Sequence, residues 1–215
     1  MVFTKGVKGR MKIDKVIVRT IVNTLCAIAI LIISALLFAS FIFPSTMMGI
    51  SYKLGNDSGA MKYAYTSYSR TKEVVYIAYA TEVAFGVDSD EDIVYYGEQF
   101  VADENFDDYC LQIDLQSETE QGAYRQYVYG RLVISEYSLN EKDKAFSYAL
   151  DAIGDKFVKN NALVALLFES MVAGDGVTVD KVVSKMRDLS STLNGEDAVY
   201  LNSLLEAYDK STSNN

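Results

Sequence analysis

Histidine is absent from all 215 residues. With it go Ser-His and Cys-His nucleophiles, imidazole general bases, zinc sites that use His, and haem sites with a His axial ligand. Tryptophan is missing too, and proline occurs once, at Pro44. Only two cysteines exist, Cys26 and Cys110, and a membrane separates them in the topology derived below, so no internal disulfide is expected. Cys110 reads as a small buried apolar residue, since Asp107, Asp108 and Asp114 beside it raise a thiol pKa rather than lower it. No glycine-rich phosphate loop and no Gly-x-Ser-x-Gly element occurs. The sequence therefore assigns no catalytic residue, cofactor or metal ligand, and the chain is expected not to be an enzyme.

What is present is a run of 24 uncharged residues, 20 to 43, closed by Pro44. A helix that long rises roughly 36 Å, enough to cross a hydrocarbon core of about 30 Å. Lys5, Lys8, Arg10, Lys12, Lys15 and Arg19 precede it against the single acid Asp14, which predicts a cytoplasmic N-terminus. The run is longer than a signal-peptide core, and the candidate cleavage positions hold Leu37, Phe38 or Phe43 in place of a small residue, so an uncleaved anchor is expected. The chain divides into a basic tail (1–19), a transmembrane helix (20–43), a juxtamembrane stalk (44–59), an extracytoplasmic domain (60–210) and a disordered C-terminus (211–215). Beyond the span stand 14 bases against 28 acids. That balance disfavours nucleic acid and predicts repulsion from anionic headgroups. One sequon, Asn56-Asp57-Ser58, does not decide the host; the small disulfide-free outer domain favours a bacterial envelope and its plasma membrane.

After the stalk the apolar spacing is helical almost throughout, and seven or eight helices are predicted. Stripes fall at Tyr76, Ala80, Val83, Ala84 and Val87; at Ala123, Tyr127, Gly130, Ile134 and Tyr137; at Phe146, Ala149, Leu150 and Ile153; at Val179, Val182, Val183, Met186 and Leu189; and at Leu201, Leu204, Leu205 and Tyr208. Ala162 to Phe168 is apolar all round and predicts a central buried helix. Ser89 with Asp92 matches a capping box. Between Asp103 and Gln116 the assignment is open, because Tyr109, Leu111, Ile113 and Leu115 also alternate with period two.

Aligning Tyr79, Tyr129 and Phe168 also aligns Val83, Val133 and Val172, the pattern of stacked antiparallel hairpins. Around Gly130 the chain resembles the tetratricopeptide repeat, with Gly130, Phe146 and Ala149 on that family's Gly, Phe and second Ala positions. The Trp and Pro positions are not matched, and Lys142 stands where the first small residue belongs. The resemblance covers about 35 residues. It implies an all-α, α-solenoid fold with a curved surface for a peptide or protein.

Between Lys72 and Arg125 lie 52 residues with 14 acids and no base. Asp88, Asp90 and Asp92 have the first spacings of a calcium loop, but Ile93 replaces its glycine and Gln99 its bidentate glutamate, so a capped turn is the expectation. The partner-binding residues expected are Asp88, Asp90, Asp92, Tyr95, Tyr96 and Tyr124: acids for a basic partner, tyrosines for contact area. Ala35 and Ala39 form a small-xxx-small pair that would allow a homodimer. The expected function is a membrane-anchored interaction or scaffold module. Alternatives are a membrane-tethered, carboxylate-dependent enzyme such as a glycoside hydrolase, and an accessory subunit packing through its span.

Overall fold

The computed structural model describes residues 15–153 and 161–213. Most of the basic tail (1–14) and the last two residues lie outside them. The described residues are all-helical, with no strand: α1 (Lys15–Ile42), α2 (Pro44–Lys53), α3 (Asp57–Thr71), α4 (Val74–Val87), α5 (Asp90–Val101), α6 (Phe106–Ser117), α7 (Ala123–Ser138), α8 (Lys142–Asp151), α9 (Ala162–Val172), α10 (Gly176–Ser190) and α11 (Glu196–Ser213).

α1 is long and apolar enough to cross a membrane, and none of its apolar window is buried by the rest of the chain. It stops where the sequence says it must. Pro44 has no N–H to continue the ladder and serves instead as the first residue of α2. The stretch expected as a stalk is thus α2 and the start of α3. Gly55 and Asn56 form the turn and cap between them: Gly55 adopts φ 69°, and the Asn56 side chain accepts from Gly59 N–H at 2.9 Å. At the other end α11 runs through 211–213, expected as disordered.

The core is built around α7, which touches α5, α6, α8 and α9. That centrality inverts the expected stripe. Ala123, Tyr127, Gly130, Ile134 and Tyr137 are not the buried face; Tyr127 is 47% exposed, and the buried residues are Gln126, Val128, Tyr129, Leu132, Val133, Ser135 and Glu136. Polar side chains on the inner face disguised the period. In α6 the alternation at Leu111 and Leu115 loses to the i, i+4, i+8 set Phe106, Cys110 and Asp114, which is buried. The stripe of α10 is as expected, with Val179, Val182, Val183 and Met186 buried. Phe100, Ile77, Leu132, Leu163, Leu166 and Leu201 are fully buried, each contributing about 1.5–3 kcal/mol of transfer free energy.

Candidate functional site

The six residues expected to bind a partner sit at the α4–α5 turn, along α5 and at the start of α7. Asp88 closes α4 in the left-handed region (φ 59°), and its carboxylate accepts from Arg131 Nη2 at 2.6 Å. Arg131 also donates to the Phe85 carbonyl at 3.2 Å and covers the Phe85 ring. Ser89 caps α5 by accepting from Asp92 N–H at 3.3 Å, and Asp90, Glu91 and Asp92 fill the first turn, where the helix dipole favours acids. Tyr95 is 51% exposed, whereas Tyr96 is buried. Their rings meet edge to face, and both meet Tyr65. Burial, then Asp92, pushes the Tyr96 hydroxyl up to about 12. Tyr124 belongs to a different cluster, with Tyr109 and Tyr127, and its hydroxyl donates to the Glu82 carboxylate. Tyr95 and Tyr96 are thus brought together and Tyr124 is not in ring contact with them. Among the described residues no group of three or more Cys, Asp or Glu is gathered to hold a metal ion.

Much of the acidic tract is used inside the molecule. Three of the first four bases to follow it return to it: Arg125 to Asp107 at 2.9 Å, Arg131 to Asp88, and Lys144 to Glu98 at 3.2 Å. Asp114 is buried and receives Gly122 N–H at 2.7 Å, Tyr124 N–H at 2.9 Å and the Thr119 hydroxyl at 3.2 Å, capping α7 from the end of α6. Arg125 also donates to the carbonyls of Asp151 (2.8 Å) and Ala152 (2.6 Å). Beside it Gln126 donates to the Ala152 carbonyl and accepts from Ala162 N–H at 3.3 Å, tying the end of α8 to the start of α9.

The sequence reading missed the carboxylate pair Glu98 and Glu136. Glu136 is fully buried, and neither of its oxygens has an N–H or O–H donor in reach. Lys144 Nζ stands 3.9 Å away, while Tyr148 donates to Glu98 at 3.1 Å. Burial, then the neighbouring Glu98, pushes the Glu136 carboxyl up to about 7. Burial pushes Glu98 the same way, but hydrogen bonds from Glu136, Lys144 and Tyr148 outweigh it and hold that group below the ordinary range. A proton kept on Glu136 would give it a donor to turn toward Glu98. The signal was present: Tyr129, Leu132, Val133 and Glu136 run at i, i+3, i+4 and i+7, which places the acid on the buried face.

Two surface features remain. Between α10 and α11 lies an open groove of about 500 Å³, lined by Asp180, Val183, Ser184, Arg187, Tyr208 and Asp209. Arg187 in it is paired with Asp209 at 2.6 Å. At the α9–α10 turn, Phe168 (53% exposed), Met171 (40%), Val172 (86%) and Val177 (81%) form an apolar patch. The first three fall at i, i+3 and i+4 on one face of α9. The helix expected to be wholly buried therefore sinks Leu163, Val164, Leu166 and Leu167 and leaves its last turns open. The same end of the molecule is fastened by Asp175, which caps α10 through Thr178 and receives Lys142 at 2.8 Å and the Tyr137 hydroxyl at 3.1 Å. The Lys142 ammonium, then Thr178, holds its carboxyl well below the usual range.

Among the described residues the molecule is all-helical and carries one N-terminal apolar helix of membrane-spanning length, which sets its class. No protein family, curated protein or solved structure matches it.

Proposed function

We propose that the chain is a single-pass membrane protein with a cytoplasmic N-terminus, and that α2–α11 form an extracytoplasmic interaction module for a protein partner in a bacterial envelope. The observation that carries this reading is the patch Phe168, Met171, Val172 and Val177. Four large apolar side chains lie open to solvent on two successive helices beside one turn, a concentration that marks a contact surface rather than scattered exposure. A tetratricopeptide-like stack is compatible with the neighbours seen. The pairs α4–α5, α7–α8 and α9–α10 pack as successive hairpins, and α7 touches α4 through Tyr127–Phe85 and α9 directly, with α6 inserted before the second hairpin.

Crosslinking in native membranes, followed by affinity capture of the full-length chain, tests the module. Val172→Asp with Val177→Asp places two charges on the patch without touching the core. The expected result is loss of the partner from an otherwise folded and membrane-inserted protein. Retention of the same partner would remove the patch from the interface. The tethered-enzyme alternative would put its chemistry on Glu98 and Glu136. Glycoside hydrolysis needs room for a substrate between its carboxylates, and here Glu136 is fully buried while Glu98 is only half-buried beside Lys144 and Tyr148.

A further inference from the structure

The segment joining the span to the hairpins has an apolar face of its own. α2 packs inward through Pro44, Met48 and Ser51, spaced i, i+4, i+7. About a quarter turn away, Phe43, Met47, Ile50 and Leu54 fall at i, i+4, i+7 and i+11. Phe43 is 56% exposed, Ile50 44% and Leu54 79%. The charge here also departs from the rest of the domain. Residues 44–72 hold Lys53, Lys62, Arg70 and Lys72 against the single acid Asp57, and all four bases are exposed. Arg70 Nη1 donates to the Phe41 carbonyl at 2.5 Å and its guanidinium covers the Phe41 ring at 5.1 Å, so the end of α3 is fastened to the last turn of α1. At 28 residues α1 rises roughly 42 Å against a hydrocarbon core of about 30 Å, which puts the break at Phe43 among the headgroups.

We infer that α2 is an interfacial helix: it lies along the outer leaflet with Phe43, Met47, Ile50 and Leu54 at the headgroup–acyl boundary, while Lys53, Arg70 and Lys72 take anionic headgroups. This rests on the membrane-spanning reading of α1. Lipid is the occupant because the stripe continues from a helix whose apolar window is wholly open, and because the collar around it is basic while the rest of the chain beyond the span is acidic. The repulsion expected from the net charge of the outer part is thereby confined to the hairpins beyond α3.

The chain contains no Trp, so single reporters are clean. Full-length Ile50→Trp, Leu54→Trp, Leu31→Trp and Val199→Trp proteins would be reconstituted in phosphatidylcholine–phosphatidylglycerol liposomes carrying lipids brominated either near the headgroup or near the chain end. The expected result is quenching at positions 50 and 54 by the shallow bromines at least about threefold stronger than at position 199. Position 31 should be quenched by the deep ones. If position 31 is not quenched, the spanning reading fails. If position 31 is quenched while 50 and 54 match 199, α1 spans and the interfacial assignment of α2 is overturned. Adding Lys53→Glu and Lys72→Glu to Leu54→Trp should weaken its quenching; unchanged quenching would overturn the headgroup contact.

Discussion

At the scale of single residues, the most consequential side chain is one whose charge the fold suppresses. Glu136 titrates from 4.5 in the unfolded chain to about 7 in the folded one. The folded state therefore holds an extra proton between those limits. Stability from this group is fully present below about pH 4.5 and is lost as pH rises through 7, with a slope of at most about 1.4 kcal/mol per pH unit. Glu98 is shifted the opposite way, so its contribution is lost as pH falls below the carboxylate range. Glu136→Gln keeps a donor facing Glu98 and removes the titration. Denaturant unfolding of the full-length protein in detergent should show the Gln variant flatter than the parent between pH 5 and 7 and at least as stable at pH 8. A parent whose stability does not change across that window would refute the proton kept on Glu136.

Asp114 is the complementary case, a buried acid whose oxygens are met by donors. Replacing it with Ala leaves Gly122 and Tyr124 N–H groups unpaired at the start of α7. Loss of a cap plus buried orphan donors is expected to cost about 2–4 kcal/mol. Asp114→Asn, which keeps an acceptor, should cost less than half of that. Equal losses for the two variants would mean that the site is charge-dependent rather than a cap.

At the scale of elements, periodicity located helices well and faces unevenly. Val179, Val182, Val183 and Met186 were readable because α10 has one packed side, and the hydrophobic pattern of such a helix is its burial pattern. α7 was not, because a helix packed against several neighbours buries more than one narrow face, and Gln126, Ser135 and Glu136 on that inner surface broke the apolar period used to find it. α2 hid for another reason: ten residues between a proline and a glycine turn give too few repeats to separate a helix from a loop. Of the candidate site, the Ser89–Asp92 cap was legible. The burial of Tyr96 was not, since adjacent tyrosines on one helix look alike until the neighbour on α3 is known. The partners of Asp88 and Glu98 are Arg131 and Lys144, more than forty positions away, and no local pattern carries a pairing across that distance.

At the scale of the whole molecule, charge and apolar surface are sorted into separate zones: an uncharged span, a basic collar on α2 and α3, an acidic middle whose charge is partly neutralised by α7 and α8, and an apolar patch at the α9–α10 turn. Association between copies, if the span drives it, must then use a face of α1. Ala35 and Ala39 would make close contact on one such face. Cys26 lies nine positions before Ala35, two and a half turns at about 3.6 residues per turn, and so about 180° around the helix. It is exposed on α1, while Cys110 is buried and its thiol is pushed up first by burial and then by Asp107 and Asp114. A dimer through Ala35 and Ala39 thus points both copies of Cys26 into lipid. Mild oxidation in native membranes should leave the parent without an intermolecular disulfide, and Ala35→Cys in a Cys26→Ser background should form one readily. The reverse result, a Cys26 dimer and a monomeric Ala35→Cys protein, would place the contact on the opposite face and remove the small-residue pair from the interface.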